Sequence, residues 1–199
     1  MRAALVPLLL SGALAVAQPG DAPPPEKGDL VVPEGYVLQV LGATDGRIAM
    51  PKDWFYANQA TPSGWQWTFS AEDPKAGEYE TGLRIQMFVQ VEEKLKRSRE
   101  SFATGFLEQR RKVAHVLKDC PVQDFGSFKR QCLEVLQDIE EPSGKKPFHI
   151  LYTVMWLKDM DIVAVSTFGA PPQKWDAVAD ITKVMSEFIL IGKNPGNSN

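Results

Sequence analysis

Alternation of apolar and polar residues predicts strands in the first half of the chain. The segment "LRIQMFVQV" (83–91) places its leucine, isoleucine, methionine and valines on one face and mainly polar residues on the other. A period of two is the pattern of a half-buried strand. The segment "GWQWTFSAED" (64–73) begins in the same way, with aromatic residues on one face. Two shorter apolar segments, "VLQVLG" (37–42) and "RIAMP" (47–51), are also predicted as strands.

The spacing of apolar residues then changes to that of a helix. The segment "SRESFATGFLEQRRKVAHVLKD" (98–119) is predicted as helical, and Pro121 prevents the helix from continuing. Its apolar stripe, at spacings near 3.6 residues, consists of Phe102, Phe106, Val113 and Leu117, with Leu107 beside them. Charged residues are predicted to lie largely on the other faces: Glu108, Arg110, Arg111 and Lys112.

Three strands and a final helix complete the pattern. The strands are predicted at "QCLEVLQDI" (131–139), "FHILYTVMWL" (148–157) and "DIVAVSTF" (161–168). The second is apolar on both faces, which predicts an interior strand covered on each side. Short polar connections make these strands antiparallel. The last helix is predicted from about Pro172 to Ile189, with an apolar stripe of Trp175, Val178, Ile181, Met185 and Phe188.

The order of these elements predicts an α+β fold. An antiparallel sheet that is apolar on both faces needs cover on both, so we expect an α/β/α sandwich on a central antiparallel sheet. A single domain is predicted at 30–191, preceded by a Pro-rich disordered linker at 18–29 and followed by a polar tail at 192–199.

The first residues predict export. Arg2 precedes a short apolar run, and small residues follow up to Ala17. This is the pattern of a signal peptide (1–17) cleaved after Ala17, with an uncleaved N-terminal anchor as the alternative. A helix that spans a bilayer needs about 20 apolar residues, and this run is shorter. The rest of the sequence contains no longer apolar run, so no stable membrane span is expected. The predicted location is periplasmic or secreted.

Composition disfavours several functions. The chain has 22 basic and 25 acidic side chains and a net charge of −3, which argues against binding nucleic acid. No nucleophile elbow, nucleotide-binding loop or zinc motif is present, so we predict no catalytic residue, no metal site and no cofactor. The two histidines have structural interpretations: His115 suits a helix C-terminus, and His149 suits the surface of a sheet. Acid–base hydrolysis through distant carboxylates remains an alternative.

Two segments resemble the PsbP-like superfamily. They are "IAMPKDWFY" (48–56) and "WLKDMDIVAVSTFGAPPQKWDAVADITKVMSEFIL" (156–190), and the resemblance covers about residues 46–191. The superfamily includes a lumenal photosystem II subunit, a Ran-binding nuclear-import factor and bacterial envelope proteins of the DcrB type. The resemblance implies an α/β/α sandwich that acts in binding or assembly, without a shared catalytic motif. It also implies that Pro51, Trp54, Trp175 and Phe188 are core residues.

The two cysteines, Cys120 and Cys132, are not part of that resemblance. They are too far apart for a C-x-x-C redox motif, and zinc would need two further ligands. In an exported protein two lone cysteines usually form a disulfide. Each lies six residues from Gly126, so a hairpin that turns at "FGSF" (125–128) would place them opposite each other, about 4.5–5.5 Å apart at Cα. The predicted disulfide would tie the end of the first helix to the following strand.

An aromatic cluster surrounds the segment "ANQATPSG" (57–64), which is predicted as a loop. One interpretation is that the cluster forms an edge of the core, because large aromatic residues dominate burial. The other is that Trp54, Tyr56 and Trp65 line an exposed groove that binds a partner or an apolar ligand. The polar segment "AEDPKAGEYETG" (71–82) would then form its rim.

These observations predict an exported, non-enzymatic binding or assembly module of the cell envelope. The alternative is a carrier or sensor of a small apolar ligand, held in a cleft between the sheet and a helix. The expected partner is accordingly an envelope protein or a small apolar ligand.

Overall fold

A computed structural model of the chain describes residues 30–73, 75, 80–141 and 144–192. The predicted signal peptide and linker lie outside the described residues, as does the predicted tail from residue 193 onward. The described strands are β1 (Tyr36–Leu41), β2 (Asp45–Pro51), β3 (Phe55–Thr61), β4 (Gly64–Ser70), β5 (Gly82–Val89), β6 (His115–Asp119), β7 (Gln123–Asp124), β8 (Phe128–Glu141), β9 (Gly144–Leu157), β10 (Ile162–Ala170) and β11 (Phe188–Ile191). The described α-helices are α1 (Val91–Leu95), α2 (Arg99–Val113) and α3 (Trp175–Ser186).

The strands form two antiparallel sheets. The large sheet has the order β3-β4-β5-β10-β9-β8-β6, and the short β7 pairs with β8. The small sheet has the order β1-β2-β11. The predicted α+β fold with an antiparallel sheet is therefore confirmed. Within the part of the chain that is described, no helix has the length and apolar character needed to cross a membrane.

Each face of the large sheet is covered by a separate core. The α3-side core lies between the large sheet, the small sheet and α3, and includes Trp67, Phe69, Ile48 and Met185. The α2-side core lies beneath α2 and includes Leu107, Leu133, Ile150, Val154 and Val163. Strand β9 supplies side chains to both cores, Met155 to the first and Val154 to the second. The prediction that this strand is covered on both faces is confirmed.

The first long helix is shorter than its spacing predicted. It begins after Ser98, whose side chain accepts a hydrogen bond from the backbone N–H of Ser101, and it ends at Val113. After Ala114 the chain forms β6, which pairs with β8 at the edge of the sheet. Backbone pairing to an available edge therefore outweighs the helical periodicity of this segment. Val113 is 63% exposed and Leu117 is 43% exposed, so both were wrongly assigned to a buried stripe.

Two other predicted elements differ in the structure. The expected loop at 57–64 is mainly strand β3, which pairs residue by residue with β4 through a tight turn. The last helix ends at Ser186, and Phe188 instead begins β11, where it pairs with Ile48 of β2. His115 lies in β6, so its predicted place at a helix C-terminus was wrong.

Candidate functional site

The predicted disulfide between Cys120 and Cys132 is present. Their Cα atoms are 5.0 Å apart, and the backbone N–H of Cys120 donates a hydrogen bond to the carbonyl of Cys132 at 3.0 Å. Gly126 occupies the turn with a φ of +84°, which favours glycine. The predicted opposition of the two cysteines across a hairpin is confirmed. The disulfide joins the end of β6 to β8, not the end of a helix as expected.

The three aromatic residues predicted as a binding groove lie beside the α3-side core. Trp54 is 8% exposed, and its ring stacks on Phe168 with centroids 6.1 Å apart. The ring of Tyr56 packs on Phe69 at 5.2 Å, and its hydroxyl accepts a hydrogen bond from the backbone of Gly42. Trp65 is half-buried against the same core. Their placement agrees with the packing interpretation, while a binding role for them stays a prediction.

A groove on the opposite side of the large sheet is the strongest candidate for a ligand site. It has a volume of about 460 Å³ and lies between α2 and the exposed part of β8, β9, β10 and β5. We call it the α2 groove. Its lining consists of Glu80, Gly82, Arg84, Gln86, Phe106, Arg110, Gln137, Ile139, Glu140, Phe148, Ile150, Tyr152, Thr167 and Gly169.

Two glycines keep the floor of the α2 groove open. Gly169 of β10 pairs with Gly82 of β5, so neighbouring strands lack side chains at the same level. A Cβ atom added at Gly169 would approach only Ile150 Cγ1, at 3.9 Å, and the carbonyl of His149, at 4.0 Å. Both distances are ordinary contacts. Glycine is therefore not required there by the backbone, and its main effect is to leave space in the groove.

Arg110 lies in this groove above two aromatic rings. Its guanidinium carbon is 4.9 Å from the centroid of Phe106 and 5.4 Å from that of Tyr152. The Nε atom of Arg110 is buried without a hydrogen-bond partner. The prediction that charged residues of this helix lie largely on its other faces was therefore wrong for Arg110. Its spacing of four residues from Phe106 is the sequence signal that places both side chains on one face.

Several other polar side chains near the floor form hydrogen bonds with neighbouring side chains. The Tyr152 hydroxyl donates a hydrogen bond to Gln137 Oε1 at 3.1 Å, and Gln86 Nε2 donates to Gln66 Oε1 at 3.1 Å. Burial raises the pKa of Tyr152, and the nearby Arg110 opposes that effect. The phenol therefore remains a neutral hydrogen-bond donor at physiological pH.

The rim of the α2 groove carries carboxylates that already have cationic partners. Glu80 lies 3.3 Å from the ammonium of Lys174 and 3.4 Å from that of Lys146. Hydrogen bonds from Lys174 and Lys146 lower the pKa of Glu80. Glu140 lies 3.9 Å from Lys145. Both rim carboxylates therefore have lysine partners.

A histidine–carboxylate pair lies away from the α2 groove. His149 lies on the other face of β9, where its Nε2 is 2.7 Å from Glu134 Oε1 and its ring stacks on Trp175 at 3.6 Å. Among the described residues no group of three or more histidine, cysteine, aspartate or glutamate side chains could hold a metal ion.

Comparison with known proteins gives structural matches only. No protein-family model matches the chain, and no curated protein is significantly similar to it. The PsbP protein of the cyanobacterium Synechocystis matches with a TM-score of 0.49 and 12% identity, over 77% of this chain and 91% of that one. The Ran-binding protein Mog1p of Saccharomyces cerevisiae matches with a TM-score of 0.49 and 11% identity, over 78% and 95%.

A third match is LpqN of Mycobacterium tuberculosis, a protein involved in cell envelope biogenesis. Its TM-score is 0.45 and its identity 9%, over 77% of this chain and 89% of that one. PsbP and a Ran-binding protein, two kinds of protein named in the predicted resemblance, are thus among the structural matches. At these identities the likeness concerns the fold alone, and no functional residue is transferred from it.

Proposed function

We propose that this protein is an exported, non-enzymatic binding module of the cell envelope, and that it binds its ligand in the α2 groove. The observation that carries the proposal is the groove itself, an open concavity lined by aromatic, aliphatic and polar side chains, with a buried, unsatisfied arginine nitrogen beside it. Its volume of about 460 Å³ falls within the range of roughly 300–1,000 Å³ that is usual for small-molecule sites.

Two features support export. The disulfide between Cys120 and Cys132 is of the kind that persists in oxidising compartments. The N-terminal sequence up to Ala17 has the charge, apolar run and small residues of a signal peptide. Recovery of the mature protein from the periplasm or medium, with an N-terminus at Gln18, would test this part of the proposal.

Substitution of Gly169 by valine tests the groove. The valine side chain would occupy the floor, and it suits a strand because β-branched residues pack well on a pleated sheet. The binding probe is N-phenyl-1-naphthylamine, a neutral dye that fluoresces in apolar sites. We expect Gly169→Val to weaken dye binding at least tenfold, with thermal unfolding shifted by no more than a few degrees.

The matched control is Ala60→Val, which adds the same branched group to β3. Ala60 is exposed on the edge strand and does not line the α2 groove. Its substitution should leave dye binding unchanged. The proposal fails if Gly169→Val folds normally and binds the dye as well as the unmodified protein does, or if the unmodified protein binds no dye.

A further inference from the structure

We propose that the α2 groove selects amphipathic organic anions, with the guanidinium of Arg110 binding the anionic group and the aromatic floor holding the apolar body. This inference rests on the proposed function and specifies the chemistry of the ligand. It arises from Arg110, which lines the groove, forms no ion pair among the described residues and has a buried Nε without a hydrogen-bond partner.

Arg110 forms no ion pair in the described structure, whereas the other arginines of α2 do. Arg111 forms two hydrogen bonds with the carboxylate of Asp119, both of 2.8 Å, and Arg99 pairs with Glu92 at 3.1 Å. No ion pair among the described residues involves Arg110. Arg110 is instead held over Phe106 and Tyr152, whose rings fix its position without neutralising its charge.

The guanidinium of Arg110 favours an oxyanion as ligand. It lines the groove without a carboxylate partner in the described part of the chain, and it would gain charge-assisted hydrogen bonds from a carboxylate or sulfonate group bound there. The guanidinium fork matches such planar or tetrahedral oxyanions better than an ammonium would. A second guanidinium, that of Arg84, lines the same groove from β5.

The acidic residues of the rim do not compensate for this charge. Glu80 is shared by Lys146 and Lys174, and Glu140 has Lys145 beside it. Neither rim carboxylate forms an ion pair with Arg110. A neutral apolar ligand would leave the Arg110 guanidinium without an ionic partner, whereas an anion with an apolar body complements both the charge and the floor. The floor surfaces available to that body are those of Phe106, Phe148, Ile150 and Tyr152.

Two dyes of nearly identical shape test the selection. 8-Anilinonaphthalene-1-sulfonate and N-phenyl-1-naphthylamine share the same arylamine body, and only the first carries a sulfonate. We expect the unmodified protein to bind the sulfonate dye about tenfold more tightly, since tenfold corresponds to about 1.4 kcal/mol and hydrogen bonds to charged groups contribute at least that much. Arg110→Gln should remove most of this difference, and Gly169→Val should weaken the binding of both dyes.

The control is Arg97→Gln, which removes the same charge and a similar contact with an aromatic ring. Arg97 lies 5.4 Å from the ring of Phe102, and neither residue lines the α2 groove. This variant should bind both dyes as the unmodified protein does. Added salt gives a second readout that needs no substitution: it should weaken the binding of the sulfonate dye and leave that of the neutral dye unchanged.

The two proposals fail in different ways. Equal affinity for both dyes, together with normal binding by Arg110→Gln, would refute anion selection while leaving the groove as the binding site. Tighter binding of the sulfonate dye that survives both Arg110→Gln and Gly169→Val would place the anion elsewhere and refute both proposals. Circular dichroism and thermal unfolding of each variant establish that the comparison is made on folded protein.

Discussion

Removal of the disulfide between Cys120 and Cys132 should lower the free energy of unfolding by roughly 3 kcal/mol. The two cysteines are 12 positions apart, and the loss of loop entropy in the unfolded chain for a loop of that size gives this magnitude. The hydrogen bond from Cys120 to Cys132 and the pairing of β7 with β8 do not depend on the covalent bond. The reduced protein should therefore fold to the same structure with lower stability.

Urea unfolding of three samples measures this effect. They are the oxidised protein, the protein with a reductant, and the double variant Cys120→Ser, Cys132→Ser. The midpoint should fall in the last two with an unchanged dependence on urea, and the melting temperature should fall by about 6–12 °C at 2–4 °C per kcal/mol for a chain of this size. The reductant should not change the unfolding midpoint of the double variant. This control shows that the reductant acts on the wild-type protein only through the disulfide.

The structure also predicts which strands are destabilised most when the disulfide is removed. Hydrogen exchange should accelerate first in β6 and β7, which are held to β8 at the edge of the large sheet. Dye binding in the α2 groove should be retained, because neither cysteine lines it. A difference in unfolding free energy below about 1 kcal/mol between the oxidised and reduced proteins would refute the reasoning from chain entropy.

Two further predictions concern contacts between elements. Trp67 is fully buried, and its indole N–H donates a hydrogen bond to the carbonyl of Gly42 at 3.1 Å. Trp67→Phe should therefore lower the free energy of unfolding, measured by urea unfolding, by about 2–3 kcal/mol. The matched control, Trp65→Phe, should lower it by less than about 1 kcal/mol. A loss of similar size in both variants would contradict this role of the hydrogen bond. The hydrogen bond from Arg111 lowers the pKa of Asp119, so the ion pair stabilises the fold above the ordinary carboxyl pKa of about 3.9 and loses that effect as the pH falls through the lower folded value. Asp119→Asn should therefore destabilise the protein by roughly 0.5 kcal/mol at pH 7, because both partners are partly exposed. The difference between the two proteins should shrink as the pH falls below the ordinary carboxyl pKa, and a difference that does not change with pH would contradict the assignment.

Interior strands could be predicted from the sequence because burial on defined faces imposes a strict pattern. The residues of β9 and β10 are apolar on one or both faces, and their positions in the structure follow that pattern. The edge strands could not be predicted in this way. Most of β3 is exposed, as is all of β6, so their strand conformation comes from pairing with β4 and β8.

Most of the candidate site could not be predicted from the sequence either, because it too depends on contacts between distant elements. Arg110, Tyr152 and Gly169 belong to three different elements, and only the pairing of β9 with β10 and the packing of α2 bring them together. The exception is the spacing of Phe106 and Arg110, which is a local property of a helix. The cysteine pair could be predicted because its geometry depends only on one hairpin.

The pairing of β2 with β11 has a consequence for the order of folding. Ile48 of β2 pairs with Phe188 of β11, and β5 pairs with β10 on one of its two sides. Neither sheet can therefore be completed from the N-terminal half of the chain. Contacts between segments so distant in sequence are closed late and slowly. A chain that emerges from the ribosome in sequence order therefore holds β1 to β5 without a finished core until β10 and β11 have been synthesised.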